Sequence, residues 1–124
     1  MVISINEFSE TPIYVQIRDQ IVLGISDGRL SPGEQLPTVR NLALDIGINT
    51  MTVSKAYQLL KQEGYVVTDR RSGARVSSEF KRAGGMSEEN EAVLKRIASE
   101  AKINGMSEQE FLEICMKAYG GSKL

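Results

Sequence analysis

The sequence predicts a mainly α-helical fold with one small β-hairpin. Apolar residues recur every three or four positions in five separate stretches, and each stretch is bounded by residues that start or stop helices. Two short β-branched runs, YVVTD and ARV, are separated only by RRSG, which is typical of a hairpin. Three helical stretches precede the hairpin and two follow it, so we expect a helical domain with a hairpin and then a two-helix tail.

The first helix is predicted to begin at Thr11 and Pro12, because threonine can cap a helix and proline fits its first turn. Its apolar stripe ends at Asp27 and Gly28. Pro37 disfavours a helical backbone in the residue before it, so a turn followed by a short extended piece is expected ahead of the second helix. The inward residues of the first helix are expected to be Ile13, Tyr14, Ile17, Ile21 and Ile25.

The next two helices are predicted to lie very close together along the chain. Thr38 can cap a second helix that stops at Gly47, and the third helix, which Asn49 can cap, stops at Gly64. So short a turn is typical of a helix-turn-helix, and the hairpin follows it directly. The inward residues are expected to be Val39, Leu42, Ala43 and Ile46 in the second helix, and Val53, Ala56, Tyr57 and Leu60 in the third.

Two further helices are predicted after a small, charged linker. Ser87 can cap the first of them, which stops at Gly105. Ser107 and Glu110 form a capping-box pattern at the start of the second, which stops at Gly120. We therefore divide the chain into a winged helix-turn-helix domain over residues 10–78, a linker over residues 79–86 and a two-helix segment over residues 87–120.

The composition excludes several classes of site. The chain has no histidine and a single cysteine, Cys115, so an intrachain disulfide, a zinc site or a histidine-based catalytic triad is not expected. It has no glycine-rich phosphate loop and no nucleophile beside a base, which argues against an enzyme. No apolar run approaches the roughly 20 residues of a membrane span. We expect a soluble, cytoplasmic protein without a metal or cofactor and without a membrane partner.

Basic residues gather in one part of this nearly neutral chain, whose net charge is −1. The outward face of the third helix is expected to carry hydroxyl, amide and ammonium groups, with no acid before Glu63. Such a face suits the DNA major groove, because it offers hydrogen-bonding groups to base edges and cations to phosphates. Its residues are Thr50, Met51, Ser54, Lys55, Gln58 and Lys61 or Gln62.

A long stretch of the chain resembles one family of bacterial regulators. LPTVRNLALDIGINTMTVSKAYQLLKQEGYVVTDRRSGARV, with the preceding IYVQIRDQIVLGISDGRLSPGEQ, closely resembles the winged helix-turn-helix domain of the GntR family of transcription regulators. The TVSKAY run and the short two-helix tail resemble the YtrA subfamily. This resemblance implies a homodimeric repressor that binds a pseudo-palindromic operator on double-stranded DNA, in a subfamily that often controls transporter operons.

The resemblance also implies DNA contacts at three places: an arginine near the start of the second helix, the start of the third helix, and the hairpin tip. The residues at these positions are Arg40; Asn49, Thr50, Met51, Thr52, Ser54 and Lys55; and Arg70, Arg71, Ser72 and Gly73. Thr50, Met51 and Ser54 differ from the residues of many family members, so the base preference is not implied. Met51 is suited to contact a thymine methyl group.

The two-helix tail is expected to form the dimer. Two short helices cannot cover their own apolar faces, and the same helices of a second chain would cover them. The dimerisation residues are expected to be Val93, Leu94, Ile97, Ala101, Phe111, Ile114 and Ala118. The alternative is that the tail folds back on its own winged domain. We expect regulation through an unidentified small-molecule effector near the junction of the two parts, or through altered dimer spacing.

The same basic face permits a rival function. A winged helix can serve as a protein-contact module, in which case the basic face would meet an acidic partner. Duplex binding that weakens steeply with salt separates the two hypotheses, because each phosphate contact contributes about −0.9 to the slope of log K against log salt.

Overall fold

Five helices and one two-stranded hairpin form the described part of the chain, which is residues 1–71, 73–80 and 85–120 of a computed structural model. The chain separates into two compact units, residues 1–81 and 82–124. This architecture confirms the predicted mainly α-helical fold with a small hairpin. The elements are α1 (Ile13–Ser26), α2 (Val39–Ile46), α3 (Thr50–Gln62), β1 (Val66–Asp69), β2 (Gly73–Val76), α4 (Glu88–Ile103) and α5 (Glu108–Tyr119).

One hydrophobic core holds the first unit together, and α3 contributes more buried residues to it than any other element. Val53, Ala56 and Leu60 are fully buried and Tyr57 is 7% exposed, so the inward stripe predicted for this helix is confirmed. Each Val or Leu buried in this way stabilises the fold by about 1.5–3 kcal/mol. The other buried apolar residues are Ile17, Ile21, Leu30, Leu36, Leu42, Ala43, Val66 and Val76.

Caps fix the start of α2 and the turn between α2 and α3. The Thr38 hydroxyl accepts a hydrogen bond from the Asn41 amide at 3.0 Å. The Asn49 side chain accepts from the Thr52 amide at 2.8 Å, so both predicted caps are confirmed. Gly47 has a φ of 69°, in the left-handed region that other residues rarely adopt. Because both ends of the turn are satisfied, α3 leaves α2 in a defined direction.

The start of α1 differs from the prediction. Thr11 does not cap the helix; Pro12 is the last residue before it, and no side chain caps its amides. Instead, the Gln16 side-chain amide donates to the carbonyl oxygens of Thr11 and Asn6 at 2.9 and 3.0 Å. Its oxygen accepts from the Asn6 amide at 2.9 Å. A side chain inside the helix therefore ties down the preceding chain, a contact that short-range capping patterns do not reveal.

The hairpin is joined by a third extended segment. β1 and β2 pair in antiparallel register, with Val66 opposite Val76. The extended piece before α2 then pairs with the other edge of β2: the Leu36 amide donates to the Ala74 carbonyl at 2.9 Å. In the same way, the Val76 amide donates to the Glu34 carbonyl at 2.8 Å. The sequence predicted the extended piece but not this pairing, which secures the base of the hairpin from both sides.

Tyr57 links α3 to the segment that precedes α2. Its hydroxyl donates to the Pro37 carbonyl at 2.7 Å. Burial raises the pKa of Tyr57 to about 12, so the hydroxyl stays protonated and able to donate well into the alkaline range. Pro37 immediately precedes the cap of α2, and this bond therefore fixes the start of α2 beside α3.

The second unit consists of α4 and α5, whose caps follow the prediction. The Ser87 hydroxyl accepts from the Asn90 amide at 3.1 Å, and Ser107 and Glu110 form the reciprocal capping box. Neither helix has a buried residue among the described ones. The half-buried apolar residues of this second unit are Ala98, Ala101, Met106, Phe111 and Cys115. Of the predicted linker, residues 81–84 lie outside the described residues. Across the described ranges, no helix combines the length and apolar character needed to cross a membrane.

Replacing Tyr57 with phenylalanine should lower the free energy of unfolding by about 1 kcal/mol at pH 7, because the Pro37 carbonyl loses its donor. Above pH 10 the difference should shrink and then reverse. The pKa of Tyr57 rises from 10.0 to about 12 on folding. Between these pH values, ionisation of Tyr57 in the unfolded chain therefore lowers the free energy of unfolding of the wild type by about 2–3 kcal/mol. Urea unfolding at neutral and alkaline pH measures this, and parallel pH curves for the two proteins would contradict it.

Candidate nucleic-acid interface

The exposed face of α3 forms the floor of an open groove beside the start of α2. The groove is lined by Val39, Thr50, Met51, Ser54, Lys55 and Gln58. Met51 is 82% exposed although it is apolar. The polar side chains that point away from the core of α3 are therefore gathered on one accessible surface, as the helical spacing predicted.

A second groove connects α3 to the hairpin. It is lined by Pro37, Thr38, Val39, Ser54, Tyr57, Gln58, Lys61, Thr68, Gly73 and Ala74. Val39, Ser54 and Gln58 line both grooves. The start of α2, the exposed face of α3 and the inner side of the hairpin therefore form one continuous concave surface, which we call the groove surface.

The groove surface carries no carboxylate from α3, whose sequence TMTVSKAYQLLKQ contains no acid. The first acid beyond it, Glu63, is held by Arg18 of α1, whose guanidinium donates to both carboxylate oxygens at 2.8 and 2.9 Å. Arg18 also donates to Asp19 at 2.9 Å. The hydrogen bonds to Glu63 are the main reason that the pKa of Arg18 lies above its already high usual value. The charge of Glu63 is thus compensated at the end of the helix.

The hairpin tip presents two exposed arginines, Arg70 and Arg71. The Asp69 carboxylate accepts from the Arg71 backbone amide at 2.8 Å, which orders the turn. Gly73 has a φ of 68°, so it closes the turn in a conformation that favours glycine. Ser72, the remaining residue predicted at the tip, lies outside the described residues.

The structure brings part of the predicted contact set together. Arg40, at the second position of α2, is exposed, as are Arg70 and Arg71. Two predicted contacts serve the fold as well, since Asn49 caps α3 and Thr52 is half-buried while donating to that cap. The predicted residues that line the groove surface are Thr50, Met51, Ser54, Lys55 and Gly73.

The groove surface also contains residues outside the set of DNA contacts that the family resemblance implied. Gln58 and Lys61 follow Ser54 at helical spacing, which already placed them on the outward face. Thr68 and Ala74 lie opposite each other on the two hairpin strands, so their shared face follows from strand register. The other lining residues outside that set are Pro37, Thr38, Val39 and Tyr57.

Lys55 lies against an aromatic ring at the edge of the groove surface. Its ammonium nitrogen is 4.1 Å from the centroid of the Tyr14 ring, which belongs to α1. A lysine at this distance from a ring face makes a cation–π interaction. Nothing in the sequence around Lys55 indicated this contact, because it joins residues from two different helices.

The family comparison agrees with this geometry. The model of the family described as bacterial regulatory proteins, gntR family, matches residues 13–76, which is 64 of the 124 residues. The transcriptional repressor YtrA of Bacillus subtilis is 44% identical over 79 residues, which cover 64% of this chain and 61% of that protein. The match therefore spans less than two thirds of the length of that repressor.

Solved structures carry the same fold. YtrA from Sulfolobus acidocaldarius, described as a GntR-family transcription factor, is 38% identical with a TM-score of 0.66, and the match covers 80% of this chain and 99% of that one. The AraR DNA-binding domain, solved in complex with operator ORX1, is 26% identical with a TM-score of 0.54 and covers 62% of this chain and 95% of that one. This chain belongs to the GntR family of bacterial regulatory proteins, which are DNA-binding transcription regulators and not enzymes.

Proposed function

We propose that this chain is a homodimeric repressor that inserts α3 into the major groove of a pseudo-palindromic operator. The observation that carries the proposal is the groove surface, on which α3 presents hydroxyls, an amide and lysines without a carboxylate. A duplex is a dense array of phosphate charges, so a surface without acids can approach it without repulsion between carboxylates and phosphates. The operator complex of the AraR domain supports this use of the fold.

The start of α3 is proposed to read the bases. Thr50 and Ser54 offer hydroxyl groups that can donate to or accept from base edges. Met51, 82% exposed, offers only an apolar side chain, and the matching feature of the major groove is the thymine methyl group. Arg40, exposed at the start of α2, has the guanidinium fork that binds guanine or a phosphate in two places.

The hairpin is proposed to act as a wing that binds DNA beside α3. Arg70, Arg71 and Gly73 lie at its tip, and both arginines are exposed. Their positive charges would contact a neighbouring phosphate or enter the minor groove. Since phosphate contacts carry little sequence information, the wing would add affinity while α3 supplies the base preference.

The tail over residues 87–120 is proposed to form the dimer. Val93, Leu94 and Ile97 of α4 are 42%, 42% and 44% exposed, and Ile114 of α5 is 51% exposed. Leu112 and Met116 of α5, which are outside the predicted set, are also about half exposed. Covering it with the same helices of a second chain gives a twofold dimer, which would place two α3 helices about one DNA turn or a multiple of it apart.

Repression is proposed to follow from binding alone, because a dimer seated on a promoter blocks the polymerase. The repressor that shares 44% identity with this chain supports that direction of control. Control of a transporter operon is part of the same proposal and rests on resemblance to the YtrA subfamily.

Selection of bound sequences from a random duplex library is the first test, with the mass of the protein in solution measured alongside. We expect enrichment of an inverted repeat and a mass of two chains. Binding should weaken as salt is added, and each phosphate contact should contribute about −0.9 to the slope of log K against log salt. No enrichment over unrelated duplexes would instead favour a protein-contact role for the groove surface.

Two arginine substitutions should separate base reading from phosphate contact. Arg40→Ala should weaken binding to the enriched duplex by about 1–3 kcal/mol and relax one base position, if Arg40 binds a base edge. Arg71→Ala should weaken all duplexes about equally and make the salt slope shallower by about 0.9. Arg29→Ala is the matched control, because Arg29 is exposed but paired with Asp27 at 2.8 Å in the loop after α1. Unchanged affinity in the first two variants would refute the proposed surface.

A charge placed in the tail should separate the two chains. Ile97→Glu should yield a monomer in sedimentation experiments and lower operator affinity about 100-fold or more, because paired half-sites no longer reinforce each other. Ser99→Glu adds the same charge two positions along α4 and should leave the dimer intact. A dimeric Ile97→Glu variant would show that the tail is covered in another way, such as by its own winged domain.

A further inference from the structure

We infer that Tyr14 is a positioning residue, whose ring holds the Lys55 ammonium ready to bind a DNA backbone phosphate. The inference rests on the proposed DNA-binding role of the groove surface and extends it to α1, to which the sequence assigned no contact. It also assigns to Lys55 a contact with a phosphate and not with a base.

The position of the two residues supports this role. Tyr14 lies in the first turn of α1, is half-buried and packs against the hydrophobic core, so its ring is fixed by the fold. Lys55 is exposed and lines the groove surface, with its nitrogen 4.1 Å from the ring centroid. The ammonium group is therefore held at the border between α1 and α3, on the flank of the helix proposed to enter the major groove.

The chemical group that contacts Lys55 determines whether its positive charge remains available for DNA. A carboxylate would also restrain the lysine side chain, but it would neutralise the positive charge that attracts a phosphate. An aromatic ring holds the ammonium through its quadrupole and leaves the full positive charge and the N–H donors available. The ion pairs among the described residues do not include Lys55.

Arg18 provides the contrast within the same unit. Its guanidinium lies 5.6 Å from the centroid of the Tyr65 ring, but it is also bound to the carboxylates of Glu63 and Asp19 at 2.8 and 2.9 Å. Its charge is compensated, and it ties α1 to the end of α3. Both cations lie on aromatic rings at the α1–α3 boundary, and only Lys55 keeps a charge that can meet DNA.

Restraint of the Lys55 side chain before DNA arrives would favour DNA binding. A free lysine side chain samples many rotamers and must be ordered when it meets a phosphate. A side chain that is already restrained loses less freedom on binding, which raises affinity without any new contact. Tyr14 would therefore strengthen DNA binding although it touches no DNA itself.

A double-mutant cycle tests the inference, using both the duplex enriched in the selection experiment and a duplex of unrelated sequence. Lys55→Met should weaken binding to both duplexes and make the salt slope shallower by about 0.9. Tyr14→Leu should weaken both by about twofold to fivefold, the equivalent of about 0.5–1 kcal/mol. In the Lys55→Met background, Tyr14→Leu should have no further effect. Tyr14→Phe, which keeps the ring, should bind like the wild type.

Controls separate positioning from folding and from the proposed function. Tyr65→Leu removes the other ring beneath a cation and should lower the melting temperature without weakening duplex binding. Additive effects of Tyr14→Leu and Lys55→Met, weaker binding by Tyr14→Phe, or tighter binding by Tyr14→Leu would each overturn the inference. If wild-type protein binds no duplex, the proposed function fails; if it binds but Lys55→Met changes nothing, only this inference fails.

Discussion

The packing of one face of α3 is the interaction on which the rest of the winged unit depends. Val53, Ala56 and Leu60 are completely buried, and α1, α2 and the hairpin all contribute to the core around them. Because a helix has a fixed period, burying this face determines which residues face outward. The groove surface is therefore a geometric consequence of the core, and a slip in the packing of α3 would rotate its residues out of place.

A second constraint is electrostatic. The chain has a net charge of −1, yet a regulator of this family must approach a polyanion. The structure reconciles these facts by keeping acids off α3 and by pairing the next acid along the chain, Glu63, with Arg18. Local arrangement of charge, rather than the total, therefore decides which surface can approach DNA.

The parts of the fold that the sequence predicted are those set by short-range rules. The buried stripe of α3, the caps Thr38 and Asn49 and the hairpin turn all follow from spacing and from residue types within a few positions. The missed features join distant parts of the chain: segment 33–36 on β2, Arg18 on Glu63, and Tyr14 under Lys55. No local pattern encodes such contacts, because each depends on how two elements pack. The predicted Thr11 cap was wrong: Pro12 is the last residue before α1, and the Gln16 side chain donates to the Thr11 carbonyl instead.

The pairing of β2 on both edges has a consequence for how such a regulator can change. The base of the hairpin is tied to the segment that leads into α2, so an insertion or deletion there would disturb the wing and the helix-turn-helix together. At the tip, Arg70 and Arg71 are exposed. The length and charge of the tip can vary at little cost in folding stability. The architecture thus separates a constrained hairpin base from a tolerant tip, so substitutions at the tip can tune how strongly the hairpin binds DNA while the scaffold stays intact.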